Sequence, residues 1–406
     1  MRSVDAHLVE VLDGVLPLPA VTVGLVDALG SVLAQDLRAQ IDLPVFTSSA
    51  MDGYAVRRAD LEHATDLDPV TLPVTGDVAA GTVAPVSVPG AAVRVMTGAP
   101  VPAGADAVVP VEWTDGGVRT VTISRRPARL ANIRARAEDV SRGSVVLGAG
   151  AVVDPAATAL IAAIGVSSVT VHRRPQVLIL STGSELVAPG SALGPAQIFD
   201  ANSAMLVAAV RQVGGATRQL TAVRDDPDAL VERLLGALDG VDLVLTSGGI
   251  SVGAHDVVKA ALGALGTVTF DRVAMQPGKP QGHGVLGPER IPVLTLPGNP
   301  VSAFVSFQVF VRPVLRRLQG YRDVTCPTVG ARLRAPLTSP DGRRQFVRVD
   351  LANEPGGYVA TPVGGVGSHL VGALARANAL AVVPEHVTRL DAGDEIEVMV
   401  SHAHLW

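Results

Sequence analysis

The sequence predicts an α/β multi-domain protein. It has a central α/β sheet domain with helices on both faces, a small inserted β domain, and a C-terminal β-barrel. Three observations predict this. From Gln176 onward, apolar runs of strand length alternate with runs of helical period, the order that builds a parallel sheet. Between about Leu61 and Val140, short Val-rich runs are separated by Pro and Gly, the pattern of a small all-β module. After Cys326, "RQFVRVDL" and "DEIEVMV" alternate as half-buried strands do. A chain of 406 residues also exceeds what one hydrophobic core usually organises.

Taken in order, Ser3 reads as the N-cap of a first helix, with Leu8, Val11 and Leu12 on one face. A second helix is predicted over about 23–36, with Leu25, Leu29, Val32 and Leu33 as its apolar stripe. "TSSAMDGYAVR" is small and polar and leads into a short strand. Asp154-Pro155 opens a helix that Gly165 closes, and the same device recurs at Asp226-Pro227 and Asn299-Pro300. "QVLILSTG" is a strand and turn, followed by a helix over 204–213 and the strand "RQLTAV". A helix over 227–238 then turns Leu230, Leu234, Leu235 and Leu238 inward and leads to the strand "VDLVLT". A long helix over 300–319, kinked at Pro313, ends at Gly320. The expected division is 1–50 with 141–172, then 51–140, 173–325 and 326–406.

Composition narrows the function. Hydrophobic residues at 48% against 17% charged suit several buried cores. A net charge of -5 without a dense Lys/Arg block argues against a nucleic-acid partner. Cys326 is the single cysteine, which excludes an intrachain disulfide and a cysteine-based zinc site. The N-terminal stretch does not read as a signal peptide and no membrane span is expected, so a cytoplasmic protein is predicted.

Chemistry should gather at the carboxyl ends of the parallel strands. "LTSGGISVGAHD" ends a buried strand in glycines and small hydroxyls. Gly248, Gly249 and Gly253 would expose backbone N–H groups, and Ser247 and Ser251 would add hydroxyl donors, which suits a phosphate as well as a plain turn. "STGSEL" offers Thr182, Gly183, Ser184 and the acid Glu185. Asp226 is explained as a helix cap, which leaves Asp225 unassigned. Asp256 could cap the following helix or bind a ligand. Carboxylates at three strand ends, Glu185, Asp225 and Asp256, could converge on Mg2+. "MQPGKPQGHG" holds Lys279 in a stiff Pro-Gly-Lys-Pro frame. In "LPGNPVSAF", Gly298 and Asn299 precede a helix start whose Val301 and Ser302 N–H groups would face an anion. Asp52 lies in a small-residue loop, and Arg348 alternates with Val347 and Val349, which suggests that it faces solvent. The absence of G-x-G-x-x-G and Walker A patterns argues against a Rossmann NAD enzyme and a P-loop ATPase.

Together these segments resemble the molybdopterin molybdenumtransferase family, which includes the E domain of gephyrin. "SAMDGYAV", "RVMTGAPVPAGADAVVPVE", "STGSEL", "SGGISVGAHD", "QPGKP", "LPGNPVSAF" and "GRRQFVRV" occur in family order over nearly the whole chain. The resemblance implies Mg2+-dependent insertion of molybdate into adenylylated molybdopterin, with release of AMP. It implies an elongated homodimer with a site partly built by the second subunit. A molybdopterin adenylyltransferase would supply the substrate, and molybdoenzyme maturation factors are further expected partners. Carried over by motif, Asp52, Thr97, Glu185, Asp225, Asp256, Lys279, Arg343 and Ser368 are functional positions. Lys279, Ser302 and Arg343 would hold molybdate, and Glu185, Asp225 and Asp256 would hold Mg2+. Ser247, Gly248, Gly249 and Ser251 would cradle the pterin phosphate. Gln276 stands where many relatives carry Lys, which removes a charge near the oxyanion. Competing expectations are the adenylyltransferase step itself, a non-catalytic scaffold, and a paralogue that inserts tungstate.

Overall fold

The computed structural model describes residues 1–220, 226–250 and 257–400. Helix α1 (Val4–Leu12) starts at Ser3, whose hydroxyl accepts from the Ala6 N–H. Its buried Val4 and Val11 join the core of the central α/β unit.

The helix expected over 23–36 does not form. Ala20–Gly24 is a strand paired antiparallel with Ser168–His172, and turns follow it. Gly30, at φ +76°, occupies backbone that a helix does not use. Ala28 and Leu33 are still buried, against Val153, Ile161, Val169 and Val171. The apolar spacing therefore records burial in a small strand-and-helix unit rather than a helical stripe. Helix α2 (Pro155–Ala163) belongs to that unit, with Asp154 accepting from the Ala157 N–H and Gly165 at φ +82° closing it.

The Val-rich region forms a five-stranded sheet that includes Gly53–Val56, Val70–Val78 and Ala107–Pro110.

The central sheet contains β1 (Gln176–Ser181), β2 (Ala216–Leu220), β3 (Leu243–Ser247), β4 (Val268–Arg272), β5 (Pro280–Leu286) and β6 (Ile291–Leu296). Their spatial order is β2-β1-β3-β6-β5-β4. The first four are parallel, whereas β5 reverses and pairs antiparallel with both β6 and the edge strand β4, so the sheet is mixed and not wholly parallel as predicted. Short connections explain this, because hairpins need far fewer residues than parallel crossovers.

The period-2 alternation of β1 divides its side chains between two cores. Val177 and Ile179 pack with helices α3 (Ala201–Gln212), α6 (Pro300–Ser306) and α7 (Arg312–Leu318). Leu178 and Leu180 pack with α4 (Pro227–Leu235) and α5 (Val257–Ala264). Helices therefore cover both faces, as expected. Helix α3 begins earlier than predicted because Asp200 caps it, its carboxylate accepting from the Ser203 N–H. In α4, Leu230 and Leu234 are buried but Leu235 is exposed, contrary to expectation, because it lies one residue beyond the inward stripe. Between α6 and α7, residues Phe307–Val311 widen into a π turn just before Pro313, which has no N–H for a regular helical bond.

The C-terminal strands are β7 (Thr328–Leu333), β8 (Arg344–Glu354), β9 (Gly357–Pro362), β10 (Ala379–Val383) and β11 (Glu395–Val400). The pairings β8–β9, β9–β7, β7–β11, β11–β10 and β10–β8 close the predicted barrel. A short strand, Met275–Gln276, adds to β8 in parallel and ties the barrel to the central unit. Among the described residues, no helix is long and apolar enough to cross a membrane.

Candidate active site

In the order β2-β1-β3-β6, the chain first leaves β1 to one side and then crosses to the other. The carboxyl ends of β1 and β3 therefore flank a topological switch point, where open sheets bind ligands. A cleft of about 660 Å3 opens there. Thr182, Glu185, Ser247, Gly248, Gly249, Gly298, Asn299 and Ser302 line it, all of them anticipated from sequence.

The turn after β3 is built from glycine for a steric reason. Gly248 and Gly249 have φ of +92° and +65°. A Cβ on Gly248 would lie 2.7 Å from the Thr182 carbonyl, and one on Gly249 would lie 2.9 Å from Val258 Cγ2. Only glycine tolerates both the conformation and the approach. The Gly248 N–H donates to the Leu296 carbonyl at 3.0 Å, so it is a bond between strand ends rather than the ligand donor expected. The Thr182 N–H likewise donates to the Ser247 carbonyl at 3.1 Å. The three strand ends are thus fastened together by backbone bonds, which leaves side chains to meet a ligand.

One hydroxyl fits that role. Thr182 is buried, lines the cleft, and its Oγ1 has no hydrogen-bond partner among the described residues. A buried polar atom without a partner is costly, and ligand-facing atoms are a common exception. Asn202, which sequence reasoning missed, pins the opposite wall. Its Nδ2 donates to Ser247 Oγ at 2.8 Å and to the Gly298 carbonyl at 2.6 Å, while its Oδ1 is buried without a partner among the described residues. Asp200, Phe199 and His369 also line the cleft and were not singled out. The signal for Asp200 and Asn202 was the "DAN" start of α3, an N-cap whose helix points its first turn at the strand ends.

Asn299 occupies the N-cap position of α6, but its side chain makes no capping bond. The Val301 N–H, expected to be free for an anion, donates to the Ser368 carbonyl at 3.0 Å. The barrel segment carrying Ser368 thus closes the helix start. That segment is held by Arg348, which was expected to face solvent. Arg348 is only 5% exposed, and its guanidinium donates to the Gly365 and Gly367 carbonyls. Burial lowers its pKa from the usual arginine value.

Lys279 does not line the 660 Å3 cleft but an adjoining hollow of about 330 Å3 that shares Ile250 and Pro280 with it. Its frame is braced, as the prolines suggested. The buried Gln281 donates through Nε2 to the Gly278 carbonyl and to Ser306 Oγ, both at 2.6 Å. Arg343 stands just before β8, and the Met275–Gln276 pairing brings its backbone beside the segment that carries Lys279. Neither Arg343, Ser368 nor Gly183 lines the cleft. Gly183 instead lies under the Glu185 carboxylate, where a Cβ would meet Oε2 at 2.6 Å.

Asp52 and Thr97 are brought together, away from this cleft. Both are exposed, and Asp52 Oδ1 accepts from the Thr97 N–H at 2.6 Å and its hydroxyl at 2.8 Å. These bonds hold the Asp52 carboxyl below the ordinary carboxylate range. Asp225, Ser251, Gly253 and Asp256 lie outside the described residues.

Comparison with known proteins identifies the family along the whole chain. Residues 2–165 match the MoeA N-terminal region (domain I and II), 178–317 a probable molybdopterin binding domain, and 330–400 the MoeA C-terminal region (domain IV). A molybdopterin molybdenumtransferase 2 of Mycobacterium tuberculosis is 46% identical over 98% of this chain and 99% of its own. A molybdopterin molybdenumtransferase of Haemophilus influenzae is 37% identical over 94% of this chain and 95% of its own. The crystal structure of a molybdopterin biosynthesis MoeA protein from Pyrococcus horikoshii superposes with a TM-score of 0.85 at 29% identity, covering 98% of this chain and all of that one. Sequence, domain order and fold thus agree along the whole length, and the chain belongs to the molybdopterin molybdenumtransferases, transferases of molybdenum cofactor biosynthesis.

Proposed function

We propose that this protein inserts molybdate into adenylylated molybdopterin with the help of Mg2+ and releases AMP. The observation that carries this reading is the cleft at the ends of β1, β3 and β6, with an unpartnered Thr182 hydroxyl on one wall and the Glu185 carboxylate beside it. Its volume of about 660 Å3 suits a ligand of nucleotide or cofactor size.

The donor set fits a hard cation. The cleft's lining includes the carboxylates of Glu185 and Asp200 and the hydroxyl of Thr182, and Mg2+ selects oxygen ligands together with phosphate oxygens. Glu185, with Asp225 and Asp256, would hold the metal. When bound, it would offset charge on the phosphate as AMP departs. Thr182 orients the pterin phosphate through its hydroxyl, while Ser247, whose Oγ accepts from Asn202 and donates to the Pro297 carbonyl, braces the wall behind it. Ser302, Lys279 and Arg343 bind molybdate, a tetrahedral dianion that two cations and a hydroxyl can neutralise and orient. Lys279 and Arg343 belong to segments tied by one parallel pairing, which supports joint action on a substrate shared between the central unit and the barrel.

Asp52 and Thr97 pair with each other but line no part of this chain's own cleft. In the proposed homodimer, a cytoplasmic one, they act on the second subunit's site. A molybdopterin adenylyltransferase would deliver the substrate, and molybdoenzyme maturation factors would take the product. We also propose the four-part division 1–50 with 141–172, 51–140, 173–325 and 326–406.

The test mixes purified protein, adenylylated molybdopterin and Mg2+, and follows AMP with and without molybdate. Release triggered by molybdate is the expected result. AMP release that ignores molybdate, or that responds to tungstate alone, would contradict the proposal.

A further inference from the structure

Outside the 660 Å3 cleft, and reaching the Lys279 hollow only through Asp271, α1 meets the antiparallel edge of the central sheet through three groups that the proposed function does not use. These are His7 on α1, Asp271 on β4 and His283 on β5. One ligand atom from each lies within 4.8 Å of the others. The Nδ1 atoms of His7 and His283 are each 3.9 Å from Asp271 Oδ2. Both Nδ1 atoms are buried and lack a hydrogen-bond partner among the described residues. The geometry points to a site for a divalent transition metal of the zinc class that staples α1 to the β4–β5 edge.

The alternative explanation is an ion-pair cluster around Arg2, whose guanidinium donates to Asp271 Oδ2 at 2.9 Å and also to Glu10. Arg2 satisfies the carboxylates, but it offers nothing to the imidazoles. The guanidinium N–H groups are spent on Asp271 and Glu10, so neither Nδ1 has a hydrogen-bond partner among the described residues. Two neutral imidazoles and a carboxylate suit zinc, cobalt or nickel far better than Mg2+.

The surroundings resemble the outer partners of known metal sites. His283 Nε2 lies 3.4 Å from Glu10 Oε2, one helical turn beyond His7 on α1. A carboxylate on one ring nitrogen fixes the tautomer that leaves Nδ1 free to ligate. Phe310 and His283 contact the His7 ring edge to face, with centroids 4.8 and 5.0 Å away, which fixes its plane. Tetrahedral ligation at ~2.0–2.1 Å would draw the donor atoms to about 3.3 Å from one another. From donor atoms now up to 4.8 Å apart, that requires side-chain rotations that close as much as about 1.5 Å between a pair, and displacement of Arg2 from Asp271.

The experiment uses the full, tag-free chain, dialysed against a chelator and kept in excess Mg2+. Zn2+ is titrated by calorimetry, melting temperature is followed, and Co2+ is used as a spectroscopic probe. One equivalent of Zn2+ should bind and raise the melting temperature, and Co2+ should show tetrahedral ligand-field bands. His283→Gln, which keeps volume at a half-buried position, should lose both effects. Glu10→Gln should weaken binding by roughly 10–100-fold. Arg2→Ala should tighten it, because the competing cation is gone. Absence of stoichiometric uptake, equal uptake by His283→Gln, or no tightening in Arg2→Ala would each overturn the proposal.

Discussion

The Ser368 carbonyl accepts the Val301 N–H at 3.0 Å and so joins a loop of the C-terminal barrel to the helix start beside the cleft. Arg348, buried beneath that loop, holds the Gly365 and Gly367 carbonyls. The barrel therefore takes part in shaping the site through a single supported loop.

Arg348→Ala should release this loop. We expect a stability loss on the order of 2 kcal/mol from the charge-assisted bonds, and a rise in the KM for molybdate larger than the fall in kcat. Denaturant unfolding and AMP-release kinetics measure the two effects. Unchanged kinetics would mean that the loop's position does not matter to the site.

Thr182→Val separates folding from binding. The hydroxyl has no partner among the described residues, so its isosteric removal should leave stability unchanged or slightly raised. Affinity for the pterin substrate should fall by about tenfold, one hydrogen bond to a charged group being worth ~1.5 kcal/mol or more. Melting temperature and equilibrium binding, measured on the same variant, check both halves.

Gly248→Ala should be harmful through geometry alone. At φ +92°, with a new Cβ 2.7 Å from the Thr182 carbonyl, the turn must shift. Strain of this kind costs of order 1–3 kcal/mol, and the displaced strand ends should lose substrate binding. Chemical denaturation reads the first effect and calorimetry the second.

Cys326 gives a pH dependence. Burial raises its thiol above the ordinary value of about 9, and Sγ donates to the Val400 carbonyl at 3.2 Å. Above pH 9 the unfolded chain loses this proton while the folded chain retains it. This contribution to stability is therefore complete below about pH 9 and declines as pH rises toward the folded value. Cys326→Ala should flatten the alkaline limb of the stability curve. A thiol reagent at pH 8 should label native protein far more slowly than unfolded protein.

Features set by adjacent residues were legible in the sequence. Ser3, Asp154 and Asp226 cap helices within three residues of themselves, and the Pro-Gly-Lys-Pro frame is stiff by its own covalent geometry. Features set by distant partners were not. Val21 and Val23 form a strand because residues 169 and 171 offer one to pair with. Arg348 does face away from the barrel core that holds Val349 and Leu351, as alternation implied, but the loop over 364–367 covers that outer face. The glycines after β3 were recognised, but the partner of the Gly248 N–H, Leu296, comes from a strand some fifty residues later. His7 and His283 carry no shared motif, and only the packing of α1 on the β4–β5 edge brings them together.

The most direct measurement is a crystal structure of the protein with adenylylated molybdopterin and Mg2+. The account predicts ligand density in the cleft between Thr182, Ser247 and Ser302, with the metal beside Glu185. Density that leaves this cleft empty and lies elsewhere on the protein would contradict it.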